Sequence, residues 1–321
     1  MGSSYTGWFI NKEVMNAMGL TPEEIPTNLV ELCAFATRWN NEFAEKYPHY
    51  TLLNNTTGYR ERILEAMLEN WSWYCQEQGR ELRYDDPIFR ELLTALDAAD
   101  TKKLDEALKQ TNPEVSEYKQ ALIWTGCKVV GNWGTYMEEY SDRIFIPLTL
   151  TKDTSYIAPV ENVSLWAVNA KSENAEYAAA ILGDVIANLD ARSAYTLRMD
   201  KVDAVLNDSF AEIQAYEEER LAELESRLEQ SVNRATIEKR IQQQKEYMEG
   251  EMLRNQYAIS PSSIANYMDV IAPASFVYTP DEVDREHRSA EVYGCIKRYI
   301  GGTLTAEKFI EMMDDLLNAG E

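Results

Sequence analysis

The sequence predicts a helix-rich α/β fold, and three observations support this fold class. Short apolar segments typical of strands alternate with long amphipathic segments typical of helices. Hydrophobic residues make up 45% of the 321 residues and aromatic residues 11%, which is the composition of a globular protein with a sizeable core. No apolar run reaches the roughly 18 residues that a membrane-spanning helix needs.

The first elements are predicted from caps and from hydrophobic periodicity. Residues 5–10, YTGWFI, are predicted as a strand, and Asn11 then caps a short helix that ends at Gly19. Asn28, followed three residues later by Glu31, starts an amphipathic helix. The apolar residues of this helix share one face: Leu29, Leu32, Phe35, Ala36, Trp39 and Phe43.

The same alternation continues through the middle of the chain. Asp86 and Pro87 predict the start of another helix, because a proline at the first helical position has no N–H to lose. The other predicted elements are a strand at 50–55, helices at 57–79, 101–109 and 114–123, strands at 128–130 and 163–169, and an alanine-rich helix at 171–189.

Residues 203–258 differ in being dense in Glu, Arg, Lys and Gln. Their apolar spacing slips after Ile213, so we predict two helices, packed as a hairpin or against the body, rather than one long coiled coil. The simplest interpretation is a solvated charged face on scaffold helices. A short helix from Pro261 and two closing helices follow, the last of them capped by Thr305.

Composition and motifs narrow the possible functions. The net charge of −23 argues against a nucleic-acid partner, because phosphates require a basic surface. Only two histidines occur, and the sequence has no HExxH, no GxxxxGK[ST], no GxGxxG, no GxSxG and no CxxC. We therefore expect no catalytic residues, no metal and no cofactor, and the chain is not expected to be an enzyme.

The cysteines and the acidic pairs have structural interpretations. Cys33 and Cys75 fall within helical patterns, which favours buried thiols. Asp85-Asp86 and Asp314-Asp315 lack a third ligand nearby in sequence, so we interpret them as a helix cap and as solvated surface rather than a metal site.

An unusual tryptophan lies in the turn Gly131-Asn132-Trp133-Gly134. The turn separates two short apolar runs, where a core tryptophan is not expected. Flanking glycines let a ligand approach the backbone, and an exposed indole can lie against the apolar face of a sugar. The equal alternative is a ring that only fills a gap between a strand and a helix.

Five stretches occur in an order seen in a known family: WFINKEVMNAMGL with IPTNLVELCAFATRW, then YDDPIFRELLTAL, CKVVGNWGTYMEEYSDRIFIPLTL, VSLWAVNAKSENAEYAAAIL and YIGGTLTAEKFIEMMDDLL. In this order the chain resembles bacterial extracellular solute-binding proteins of the maltose-binding-protein-like kind, the receptors of ABC importers. The resemblance covers most of the chain except 203–258.

The resemblance implies a type II periplasmic-binding-protein-like fold, mainly lobe II with part of lobe I. Residues 1–160 would be mainly lobe II, 161–200 a strand and helix of lobe-I type, 201–260 a helical insert, and 261–321 helices returning to lobe II. The segment that usually opens lobe I in this family is missing from the sequence, so we expect either a truncated product or a segment supplied elsewhere. Binding would be weak or lost without it.

The resemblance also implies contacts to a solute in an aromatic-lined cleft between the lobes. Trp133 matches the family's cleft aromatic, with Asn132 and Tyr136 beside it. Tyr59 matches a second ligand-contacting aromatic at the start of a helix. Its polar neighbours Thr57 and Arg60 are further candidates, although simple helix capping by the preceding turn is the favoured alternative. Tyr278, expected in a loop, is a weaker candidate.

The function that the resemblance implies is capture of a solute, most readily a carbohydrate, for delivery to ABC permease subunits in the membrane. We expect a monomer outside the cytoplasm, lipid-anchored in a longer precursor, although the sequence itself shows no signal segment. Two alternatives remain open. One is a carboxylate-dependent glycosidase, and the other is a helical interaction or scaffold protein that works through the 203–258 helices.

Overall fold

The computed structural model describes residues 3–54, 58–108, 120–130, 143–163, 167–188, 204–230, 233–250, 252–266, 275–278 and 290–318. The chain divides into two compact units. The larger unit comprises Ser4–Val129, Arg143–Asn162 and Pro273–Glu321, and the smaller unit comprises Met1–Ser3, Val130–Asp142 and Val163–Ala272.

Helices and strands alternate along the described part of the chain, which confirms the helix-rich α/β class. The strands are β1 (Ser3–Asn11), β2 (Thr51–Leu53), β3 (Ala121–Val130), β4 (Arg143–Ile146), β5 (Ile157–Val163), β6 (Val205–Leu206), β7 (Tyr257–Ile259) and β8 (Ser275–Tyr278). The α-helices are α1 (Lys12–Met18), α2 (Leu29–Arg38), α3 (Tyr59–Glu77), α4 (Pro87–Ala98), α5 (Lys102–Leu108), α6 (Ala175–Ala187), α7 (Phe210–Gln230), α8 (Arg234–Glu249), α9 (Pro261–Asn266), α10 (Ala290–Ile300) and α11 (Ala306–Asn318).

Six strands form one mixed sheet in the order β2-β3-β1-β5-β8, with β4 pairing with β1. The pairs β2–β3 and β5–β8 are parallel, whereas β1 and β4 are antiparallel. Leu53 lies opposite Ile123 in the β2–β3 register, and Trp8 lies opposite Ile146 in the β1–β4 register. Trp8 is buried, as its strand pattern predicts.

The two predicted helix starts at the amino end are confirmed. The Asn11 side chain accepts hydrogen bonds from the N–H groups of Glu13 and Val14, and Gly19 ends α1 with a φ of 73°. The Asn28 side chain accepts from Glu31 N–H at 2.9 Å. The other half of the expected capping box is shifted, because the Glu31 carboxylate accepts from Thr27 N–H at 3.1 Å instead.

The core of the larger unit lies between the sheet and helices α1–α4, α10 and α11. Every member of the predicted apolar face of α2 is buried there, and the helix continues as a π-helical turn over Trp39–Phe43. Glu61 on α3 is buried and forms an ion pair with Lys297, which ties α3 to α10.

Three predicted assignments differ from the observed strands. Residues 121–123 were predicted as helix but form the start of β3, because a continuous apolar run reads equally well as a buried strand or a buried helix. Of the predicted strand at 163–169, Val163 is the last described residue of β5, residues 167–169 are irregular, and residues 164–166 lie outside the described residues. Residues 275–278, predicted as a loop, form β8 alongside β5.

The smaller unit confirms the predicted helical hairpin. Helices α7 and α8 pack on each other, and Lys245 Nζ lies 3.1 Å from Glu225 Oε1 across the pair. The strands β6 and β7 form a short antiparallel ladder at its base, where Asn207 N–H donates to Gln256 O at 3.0 Å. Within the ranges described above, no helix combines the length and apolar character needed to cross a bilayer.

The acidic pairs behave differently from each other. Asp86 caps α4 by accepting from Ile88 N–H at 2.9 Å, as predicted. Asp314 is not simply solvated, because its carboxylate accepts from Tyr84 N–H at 2.6 Å and from Asp85 N–H at 3.1 Å. This carboxylate therefore holds the segment before α4 against α11, and the surface interpretation of Asp314 is wrong.

Cys33 and Cys75 are buried thiols, as their helical positions predict, and Cys295 on α10 is buried as well. Burial raises the pKa of Cys33 to about 12 and that of Cys75 to about 11, and it also raises the pKa of Cys295. A thiol reacts as its thiolate, so these three should be inert near neutral pH.

The chain has a fourth cysteine, Cys127, and the substitution Cys127→Ser leaves only the three buried thiols. We expect this variant to react very slowly with an aromatic disulfide reagent at pH 8. In denaturant, all three remaining thiols should react at once. Because the folded thiols have raised pKa values, the unfolded chain ionises first above about pH 9, and stability should fall as the pH rises from there toward the folded values. Absorbance of the released thiolate measures the reaction. Rapid labelling of the native protein would contradict the burial.

Candidate functional site

Four predicted contact residues lie outside the described residues: Thr57, Asn132, Trp133 and Tyr136. Their roles stay predictions. In the chain, Thr57 comes after the end of β2 at Leu53. Asn132, Trp133 and Tyr136 come between the end of β3 at Val130 and the start of β4 at Arg143. Both candidate segments therefore follow the carboxyl ends of β2 and β3, which are neighbouring parallel strands.

Tyr59 lies in the core of the larger unit with 0% exposure. Its hydroxyl oxygen accepts from Leu52 N–H at 3.1 Å, and its own N–H donates to Asp105 Oδ1 at 2.8 Å. Burial raises the pKa of the phenol, so it remains neutral. A ring without exposed surface cannot stack on a solute, so in this structure Tyr59 packs the start of α3 against β2.

Arg60 is engaged by its own protein. Nη1 donates to Leu96 O at 3.0 Å, Nη2 forms an ion pair with Asp97, and the guanidinium carbon lies 5.5 Å from the centroid of the Tyr299 ring. The Tyr299 hydroxyl donates to Asp97 Oδ1 at 2.7 Å. These contacts join α3, α4 and α10, which gives Arg60 a structural role.

Tyr278 is the last residue of β8 and lies opposite Val160 of β5 in a parallel register. The prediction placed it in a loop, so its position as a strand end is a correction. Open α/β sheets bind ligands outside the carboxyl ends of their strands, and the role of Tyr278 at such an end stays a prediction.

A polar cluster that the sequence did not reveal lies at the carboxyl end of β2. Thr125 N–H donates to Asn54 Oδ1 at 2.6 Å, and Arg62 donates to Thr125 Oγ1 from Nη2 at 2.8 Å and from Nε at 3.2 Å. Arg62 Nη1 also donates to Glu65 Oε2 at 3.3 Å. We name Asn54, Arg62, Glu65 and Thr125 the Arg62 cluster.

The Arg62 cluster can interact with polar ligands. A guanidinium carries more N–H donors than these contacts use, and the Arg62 side chain is 25% exposed. The remaining donors suit a hydroxyl or carboxylate oxygen. Sequence reasoning chose Arg60 in the same helical turn, but Arg60 and Arg62 lie on nearly opposite faces of α3, since two residues of an α-helix turn through about 200°.

The β2–β3 register shows that the candidate segment after β2 and the candidate segment after β3 begin far apart along the sheet. Val129 lies six residues beyond Ile123, which is the partner of Leu53 near the end of β2. At about 3.3 Å per residue, the carboxyl end of β2 and Val129 are about 20 Å apart along the sheet. The described residues therefore do not bring the two halves of the predicted site together.

Metal binding gains no support from the described part of the chain. No group of three His, Cys, Asp or Glu side chains is placed there so that it could hold an ion.

No protein-family model and no curated protein matches this sequence. Solved structures similar to it include a chitin oligosaccharide binding protein, at 14% identity and a TM-score of 0.43. Another is the cyclic alpha-maltosyl-1,6-maltose binding protein from Arthrobacter globiformis, at 15% identity and a TM-score of 0.47. Each match covers 99% of this chain and 70% of the other. Scores of this size assign neither fold nor ligand, so a function has to be argued from the chain's own residues.

Proposed function

We propose that this chain belongs to an extracytoplasmic solute-binding receptor of an ABC importer, with a maltose-binding-protein-like fold of type II. Its ligand is a carbohydrate held in an aromatic-lined cleft, and its partners are the permease subunits in the membrane. The chain acts as a monomer and performs no catalysis. In this proposal it contributes mainly lobe II, and the 201–260 segment is an insert.

One observation carries this proposal. The segment 55–57, which contains the candidate Thr57, follows the carboxyl end of β2, at one edge of the parallel β2–β3 pair. Open α/β sheets bind ligands outside that edge. The Arg62 cluster lies at the same end of β2 and supplies polar groups for the hydroxyl edge of a sugar.

The helix boundaries give further support. Four of the resembling stretches contain a helix whose start the structure describes, at Leu29, Pro87, Ala175 and Ala306. The starts at Leu29, Pro87 and Ala306 are capped by side chains of the motifs themselves, Asn28, Asp86 and Thr305. Helix starts at these positions support the proposal.

The proposed contact set differs from the predicted one. Asn132, Trp133 and Tyr136 remain the contacts after β3, and Thr57 and Tyr278 remain candidates at other strand ends. Arg62 replaces Arg60 as the available guanidinium. Tyr59 supports the helix from the core.

The experiment is a thermal-shift screen of this chain against mono- and oligosaccharides. A binding sugar at about 100 times its Kd should raise the unfolding midpoint by about 5 °C. In Trp133→Ala the same sugar should bind about tenfold more weakly or worse, because the stacking surface is gone. Calorimetric titration measures the Kd.

The matched control is Tyr177→Ala, which removes an aromatic ring that is 71% exposed on α6. This variant should bind the sugar as the parent does. Equal binding by Trp133→Ala and the parent would contradict the Trp133 site, and no shift with any sugar would contradict carbohydrate capture. Release of a cleaved product from the bound sugar would favour the glycosidase alternative.

A further inference from the structure

The interface of the α7–α8 hairpin has a polar centre. On the described parts of these two helices, Glu217 and Gln244 are the only buried side chains, 7% and 5% exposed. Gln244 Nε2 donates to Glu217 Oε2 at 2.6 Å. Two helices that packed through apolar faces would bury a continuous hydrophobic interface. Here the apolar residues near the Glu217–Gln244 pair are only half-buried.

An open groove follows from this incomplete closure. The groove between α7 and α8 has a volume of about 710 Å³, within the range of about 300–1,000 Å³ typical of small-molecule sites. Leu224 and the Tyr247 ring supply apolar surface, and Gln243 adds an amide. This is more space than a single bound ion needs.

The groove lining carries one more positive than negative formal charge, although the whole chain carries a net charge of −23. Three arginines and two glutamates line it: Arg220, Arg227, Arg240, Glu217 and Glu223. Both carboxylates have partners within the groove, and those partners include two of the three arginines, which leaves Arg240 as the unpaired cation of the described lining. Glu217 accepts from Gln244 and lies 3.5 Å from Arg220, and Glu223 lies 2.6 Å from Arg227.

The guanidinium groups therefore retain donor capacity. Arg240 makes no hydrogen bond or ion pair with any residue that the structure describes, and the Arg220 contact with Glu217, at 3.5 Å, is at the long limit for a hydrogen bond. Arg220 and Arg227 are seven residues apart on one face of α7, about 10 Å along the helix. Arg240 faces the same groove from α8.

We propose that this groove binds a small ligand with two or more oxyanion groups, either carboxylates or phosphates. Planar guanidinium groups pair with such oxygens in a two-pronged geometry, and these charge-assisted hydrogen bonds are stronger than neutral ones. The spacing of Arg220 and Arg227 favours a ligand with separated anionic groups over a single small anion. Tyr247 and Leu224 contact its body. This site is independent of the proposed sugar site.

The test is calorimetric titration of the full chain with citrate and, separately, with pyrophosphate at low ionic strength. We expect one site per chain for at least one of these probes, and the probe that binds identifies the carboxylate or the phosphate source. Acetate should bind much more weakly, because it carries a single anionic group. Raising the salt concentration should weaken binding, since the arginines are solvent-exposed.

Arg240→Gln should weaken that binding by about tenfold or more, because it removes a charge-assisted contact. The matched control is Arg234→Gln, an exposed arginine at the start of the same helix and outside the groove lining. It should change affinity by no more than about twofold, and the helix signal in circular dichroism should be unchanged in both variants. Equal losses in the two variants, equal binding of acetate, or no binding of either probe would overturn the proposal.

Discussion

Replacing Trp71 with alanine should lower the free energy of unfolding of the larger unit by about 3–5 kcal/mol, the range for deleting a large aromatic side chain from a core. Trp71 has 0% exposure. Its ring stacks on Tyr74 with 5.6 Å between centroids and lies 5.8 Å from Phe89 on α4. Its indole N–H also donates to Arg83 O at 2.9 Å, so the substitution leaves that carbonyl without this donor.

Urea unfolding followed by the helical circular dichroism signal measures this loss. The matched control is Trp73→Ala, which changes the same residue type two positions along α3, where the ring is only half-buried. We expect that variant to lose about 1 kcal/mol, since less surface returns to water. If both variants lost the same amount, the assignment of Trp71 to the core of this unit would be wrong.

Replacing Asp314 with alanine should cost about 2–3 kcal/mol, although the carboxylate lies on a partly exposed helix. Its two oxygens accept from Tyr84 N–H and Asp85 N–H, and Tyr84 has 0% exposure. Hydrogen bonds to a charged acceptor contribute about 1.5–3 kcal/mol, and a buried donor that loses its partner keeps the cost of desolvation.

The neighbouring Asp315→Ala is the control, because Asp315 is exposed and should change stability by no more than about 0.5 kcal/mol. Asp314→Asn should fall between the two, since the amide keeps one acceptor oxygen. Thermal unfolding of the three variants measures the differences. Equal stability of Asp314→Ala and Asp315→Ala would show that this contact does not hold the segment before α4.

Local signals account for what could be predicted from the sequence. The starts of α1, α2 and α4 depend on a capping side chain within three residues of the helix, and each was predicted. The apolar face of α2 was predicted for a similar reason, because its period is a property of one segment. The two helices of residues 203–258 were predicted because the apolar spacing in that segment slips after Ile213.

Long-range contacts account for what was missed. The role of Asp314 depends on N–H groups that are 229 and 230 positions away, which no window of sequence contains. The early start of β3 depends on its pairing with β2, seventy residues before it. Arg60 and Arg62 are the same residue type in one helical turn, and only the positions of α4 and β3 decide which guanidinium is engaged internally.

The short β6–β7 ladder brings the two ends of the α7–α8 hairpin together. Because Leu206 and Tyr257 lie opposite each other, the chain leaves and re-enters this segment at nearly the same point. Insertions or deletions within the intervening fifty residues would therefore have little effect on the path of the flanking polypeptide. The length of this hairpin is therefore not constrained by the pairing of the six-stranded sheet.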